Sequence, residues 1–112
     1  MLKTTDTTIQ DSVQRDLCLA LIRVRVLQRA SEAPVFGLGI IEELGGRGYR
    51  VSPGTLYPML HSMERTGLLS SRQQEIDSHF RRVYRATSLG RKVLRGTKVR
   101  VRELVGDLFL GL

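Results

Sequence analysis

The segment Ser52-Pro53-Gly54-Thr55-Leu56-Tyr57-Pro58-Met59-Leu60-His61-Ser62-Met63-Glu64-Arg65-Thr66-Gly67 gathers hydrogen-bonding side chains at helical spacing. Leu56, Met59, Leu60 and Met63 fall at i, i+3, i+4 and i+7 and form one apolar face. The opposite face offers Thr55, Tyr57, His61, Ser62 and Arg65. Polar tips on a stiff rod suit phosphate oxygens and base edges. Arg65 and His61 can reach either, while Ser52, Thr55 and Tyr57 can bond phosphates near the helix start, where the dipole favours anions. Arg72, Arg81 and Arg82 follow on the next elements and can neutralise phosphates.

Catalytic chemistry finds little to work with. Cys18 lies in the most apolar run of the chain and reads as a small buried hydrophobe. His61 and His79 share no ligand spacing with it. Glu42 and Glu43 are adjacent, so on a helix they diverge. Glu75, Asp77 and His79 read as a solvated turn. Gly45-Gly46-Arg47-Gly48 lacks Walker spacing and no strand feeds it, which leaves a helix stop. The chain is therefore expected to be no enzyme and to hold neither cofactor nor metal.

The charge points to a polyanion. Of 18 cations, fifteen are arginine, the residue suited to phosphate forks and base edges. Residues 1–45 carry five cations against six anions, whereas residues 46–112 carry thirteen against five. At 112 residues, with 41% hydrophobic and 26% charged content, the chain fits one globular domain with a modest core. The longest apolar run, Leu17 to Ile22, is six residues, against the ~20 that span a bilayer. With no signal-like start and one cysteine, a cytoplasmic setting is expected.

The elements that position these residues follow from pattern. Residues 1–10 read as a flexible start, 11–87 as the domain, and 88–112 as a final helix. The spacing predicts a first helix over 11–30, with Leu17, Ala20, Leu21, Val24 and Leu27 as the core face. Leu19, Ile22 and Val26 fall on a second apolar side, read as a subunit contact or else as the far side of a wrapped core helix. A second helix is expected over Val35–Leu44 and a third from Ser52 as N-cap, with Pro53 at its first position, to Gly67. Leu68–Gln74 and Phe80–Ala86 read as a hairpin. In the last helix Val101, Leu104, Val105, Leu108 and Leu112 extend an apolar stripe suited to a partner helix. The order predicts a mainly α fold with a small two-stranded wing, a winged helix-turn-helix with a C-terminal dimerisation helix.

Ser52-Pro53-Gly54-Thr55-Leu56-Tyr57-Pro58, followed by Leu60, Glu64, Gly67 and Leu68 and then by Tyr84-Arg85-Ala86-Thr87 with Gly90, resembles the PadR-like transcriptional regulators. Phe36-Gly37 with Ile40 is similar to that family's second-helix motif, although Leu38 and Gly39 stand where Tyr-Glu is often found. The resemblance covers about residues 14–95 and implies a DNA-binding repressor that dimerises through its last helix. Carried over by position, it assigns Ser52, Thr55, Tyr57, Pro58, His61 and Arg65 on the helix, and Arg82 and Tyr84 in the wing, to DNA. Tyr84 has a second reading, as core beneath the wing. The implied partners are a second copy of the chain and a pseudo-palindromic duplex operator. The chain has no tryptophan, so the aromatic sandwich of drug-sensing relatives is absent and the identity of any small-molecule effector stays open. An RNA- or protein-binding winged helix is the alternative reading.

Overall fold

The computed structural model describes the backbone of residues 2–111 and the side chains of residues 11–111. Along the chain run α1 (Leu2–Glu32), β1 (Val35–Phe36), α2 (Gly37–Gly46), α3 (Pro53–Arg65), β2 (Leu69–Ile76), β3 (His79–Ala86) and α4 (Ser88–Val105), with a π-helical turn over Gly106–Leu110. The architecture is a mainly helical winged helix with a small antiparallel sheet. No described helix is long and apolar enough to cross a membrane.

Helix α1 begins at Leu2 rather than near Asp11, so the start read as frayed continues the same helix, which contains no Gly or Pro. Its inward face also differs from the expected one. Ile22, Val26, Leu27 and Ala30 are buried, and Leu19 and Val24 pack against that core. Leu17 and Leu21, expected inside, are 58% and 54% exposed, as is about half of Val13. Ile22 and Val26 are thus core residues and not a subunit surface. The physical reason is that α1 is apolar on more than one side, and packing against α2, α3 and the sheet selects the side that is buried. Glu43 of α2 accepts from Arg29 Nε at 3.0 Å and lies 3.7 Å from Arg25 Nε, part-exposed contacts beside the buried Ile22–Val26–Ala30 stripe.

The second helix starts two residues later than expected because Val35 and Phe36 form a strand, pairing with Tyr84 and Val83 of β3. The sheet order is β1-β3-β2, so the wing has three strands rather than two. Strands β2 and β3 pair from Leu69↔Ala86 to Ile76↔His79, leaving Asp77 and Ser78 as the whole turn. Both have positive φ, 53° and 65°, the signature of a type I′ hairpin.

Glycine ends both central helices as expected. Gly67 sits at φ +85°; its N–H bonds the Glu64 carbonyl at 3.0 Å, and the Leu68 N–H bonds the Met63 carbonyl at 2.9 Å. This is the Schellman arrangement, and Gly48 closes α2 in the same way. Thr87 then caps α4. Its Oγ1 accepts from the Gly90 N–H at 3.0 Å and donates to the Gly67 carbonyl, which ties the start of α4 to the end of α3. The Arg91 guanidinium donates to the Ser31 carbonyl at 2.8 Å, fastening α4 to the end of α1 as well.

The core joins Val26, Leu27 and Ala30 of α1 to Ile40 and Leu44 of α2, the apolar face of α3, and Leu69, Tyr84 and Ala86 of the sheet. On α4 only Gly90 and Leu94 are buried. Beyond them Val101, Leu104, Val105, Leu108 and Phe109 are all exposed. Leu112 lies outside the described residues.

Candidate nucleic-acid interface

Helix α3 is oriented by its apolar stripe. Leu56, Met59, Leu60 and Met63 are all buried, and at roughly 25 cal/mol per Å² each contributes about 1.5–3 kcal/mol toward holding that face inward. The opposite side is then forced out. Tyr57, Pro58, His61 and Arg65 are exposed, and Thr55 is half-buried. Residues 57, 61 and 65 are four apart, so they form one row along the rod.

The helix start departs from a simple side-chain cap. Ser52 has the extended backbone of an N-cap, and its carbonyl accepts from the Thr55 and Leu56 N–H groups at 3.0 and 2.9 Å. Its hydroxyl caps no backbone N–H; it donates instead to Thr55 Oγ1 at 3.3 Å. Pro58 lies inside the helix, so the Gly54 carbonyl four residues before it lacks its usual i+4 N–H donor. Both residues are exposed.

Tyr57 is 38% exposed and lies over the first residue of α2. A β-carbon at Gly37 would come 2.5 Å from Tyr57 Cε1. The absence of a side chain at residue 37 is therefore what lets the ring lie at this depth.

The wing meets the helix here. Phe36, Gly37, Tyr57, Phe80, Arg81 and Arg82 line a shallow cavity of about 200 Å³. Arg81 stacks its guanidinium over the Phe36 ring at 5.4 Å from the centroid, a cation–π contact that steadies it. Arg82 Nη1 donates to Ser71 Oγ at 3.0 Å, and Ser71 Oγ lies 2.9 and 2.7 Å from the two oxygens of Glu64 on α3. Glu64, Ser71 and Arg82 thus connect α3 to both long strands.

Paired residues of antiparallel strands share a sheet face. Arg82 (opposite Gln73) lies on the face with Ser71 and Tyr84, whereas Arg72 and Arg81 lie on the other. The basic residues of the wing are therefore divided between its two sides. Arg72 is exposed, with its Nη2 3.5 Å from Gln74 Oε1.

Tyr84 faces the core and not a partner. It is 2% exposed, and burial, then the Glu64 carboxylate, push its phenol above the ordinary 10.0. An aromatic in a strand beside arginines is ambiguous in sequence; the register decides, because Tyr84 shares its face with Leu69 and Ala86 against α3.

Two features escaped the sequence reading. Phe80 is 74% exposed at the edge of the cavity, and its signal was an aromatic directly before Arg81-Arg82. The Glu64–Ser71 contact had no local signal, since it joins residues seven apart across a turn.

Comparison with known proteins agrees with this arrangement. Residues 26–96 match the model of the transcriptional regulator PadR-like family. The chain is 43% identical over 97 residues to the transcriptional regulator Rv3488 of Mycobacterium tuberculosis, covering 87% of this chain and 91% of the relative. Among solved structures, a PadR family transcriptional regulator from Eggerthella lenta superposes with a TM-score of 0.76 at 28% identity, over 94% of this chain and 93% of that one. A PadR-like transcriptional regulator from Bacillus cereus shares the fold with a TM-score of 0.72 at 23% identity, over 83% of this chain and 95% of that one. From the sequence motifs, the winged helix and these matches together, the chain belongs to the PadR-like family of transcriptional regulators.

Proposed function

We propose that this regulator is a homodimeric, sequence-specific duplex-DNA-binding repressor acting in the cytoplasm. The observation that carries the reading is that Tyr57, His61 and Arg65 stand in an outward row on α3 while Tyr57 shares a cavity with Arg81 and Arg82 of the wing. A helix of this kind enters the major groove, where Arg65 and His61 reach base edges. Ser52, Thr55 and Tyr57 bond phosphate oxygens at its start, Pro58 packs against the backbone, and Arg72, Arg81 and Arg82 neutralise phosphates along the wing.

The dimer reading rests on apolar surface left uncovered by the single chain. Val101, Leu104, Val105 and Leu108 on α4 are exposed together with Val13, Leu17 and Leu21 on α1. Burying such stripes against a second copy gives two-fold symmetry. The operator is then a near-palindrome with half-sites about one helical turn, or a multiple of it, apart.

Selection of bound sequences from a random duplex pool tests the reading. A near-palindromic consensus is expected, bound with an affinity that falls steeply with salt. Arg65→Ala should weaken the selected site by about 1–3 kcal/mol and random duplex far less. Failure to enrich any sequence, together with a flat salt response, would overturn the proposal.

A further inference from the structure

A second cavity, of about 320 Å³, opens between α1 and the start of α3; Arg15, Arg50, Ser52 and Thr55 supply its polar lining, and Cys18, Leu19, Ile22 and Val51 the rest. No carboxylate lines it. Among the described residues, neither Arg15 nor Arg50 has a carboxylate within ion-pair reach, in contrast to Arg25 and Arg29 of the same helix α1, which share Glu43. Two arginines from different parts of the chain, neither ion-paired among the described residues, therefore line one hollow. The start of α3 contributes in the same sense. Ser52 and Thr55 present hydroxyls there, the Ser52 hydroxyl caps no backbone N–H, the Thr55 and Leu56 N–H groups being taken by the Ser52 carbonyl, and Gly54 has no side chain to obstruct approach.

We infer that Arg15, Arg50, Ser52 and Thr55 form a seat for one phosphate group, occupied by a backbone phosphate of bound duplex DNA. This deepens the proposed function and rests on it. Thr55 and Tyr57 are two residues apart, about 200° around the helix, so the seat and the wing cavity lie on different sides of α3. Recognition helix α3 would then be clamped to sugar-phosphate backbone from both sides, by the wing on one and by α1 with Arg50 on the other. Helix α1, otherwise a packing element, becomes part of the nucleic-acid surface. The chemistry recognised is a phosphate oxyanion, which DNA or a free phosphate can supply.

The test uses the full chain with Arg15→Gln, Arg50→Gln and the double substitution; both arginines are exposed, so folding should be unchanged, as far-UV circular dichroism can verify. One phosphate contact adds about 0.9 to the slope of log affinity against log salt. The double variant should be shallower by about that amount on selected and random duplex alike. Cys18, the chain's single cysteine, supplies an independent readout. Duplex DNA should slow its reaction with a maleimide in the wild type and slow it less in the double variant. Should inorganic phosphate alone shift the Gly54 and Thr55 amide resonances in the wild type and not in Arg50→Gln, with DNA slopes unchanged, the seat stands and its occupant is a free phosphate. Wild-type protein that retains no duplex at low salt would refute the DNA-binding reading, and the phosphate titration would then decide the seat alone. Unchanged slopes, unprotected Cys18 and unshifted amides would overturn it.

Discussion

Gly90 and Gly96 lie in the same helix, and the same substitution should move stability in opposite directions at the two positions. A β-carbon at residue 90 would stand 3.1 Å from the Leu68 carbonyl carbon, closer still to its oxygen, and 3.2 Å from Leu27 Cδ1. The carbonyl cannot easily retreat, because it accepts from the Thr87 N–H at 3.0 Å and the Leu68 N–H is bonded to Met63 at 2.9 Å. Overpacking a tight site costs about 1–3 kcal/mol, and a clash with backbone belongs toward the upper end. Gly90→Ala should therefore lose about 2 kcal/mol net, or about 8 °C or more in Tm for a domain of this size. At Gly96 an added β-carbon meets nothing within 4 Å, so only the helix preference remains and Ala gains about 1 kcal/mol. Thermal unfolding followed by far-UV circular dichroism, at matched protein concentration, reads both. Gly90→Ala melting at or above the wild type, or Gly96→Ala falling as far as Gly90→Ala, would refute the close seating of α4 on the end of α3.

The raised Tyr84 phenol makes the folded chain hold its proton more tightly than the unfolded chain does. That contribution is complete below pH 10 and is lost as pH climbs beyond it, so Tyr84→Phe should flatten the alkaline limb of a stability–pH curve; coincident limbs would contradict the assignment. Glu64→Gln and Ser71→Ala should each cost about 1 kcal/mol in urea unfolding, with the double variant costing less than the sum, and strict additivity would deny that the two residues act together. Leu104→Glu should convert the proposed dimer to monomer in sedimentation while leaving the helical content intact; an unchanged dimer mass would remove α4 from the proposed interface.

Helix α3 was readable because its signals are local and concordant. Ser52-Pro53 marks the start, a four-residue apolar set marks the inside, and Gly67 marks the stop, all within one short segment. The glycine stop of α2 was readable for the same reason. What escaped depends on distant partners. Nothing near Val35-Phe36 reveals that β3 will accept it as a strand. The inward side of α1 was misjudged because Leu17 and Leu21 are as apolar as Ile22 and Val26, and the choice between them falls to packing against elements distant in the chain. Tyr84 has both an apolar body and a polar tip, so only the register assigns it to the core. In the wing the type I′ turn at Asp77-Ser78 left Glu75 and Ile76 free to pair, which shortened a turn expected over five residues to two.

The contact between residue 37 and the Tyr57 ring makes two positions, twenty residues apart in the chain, obey one steric rule. Gly37→Ala should push the part-exposed Tyr57 ring outward, and a smaller side chain at residue 57 should relieve the contact, as an intragenic suppressor pair. The depth of the aromatic on α3 is thus inherited from α2, and the surface that α3 presents can be altered from a residue on another helix.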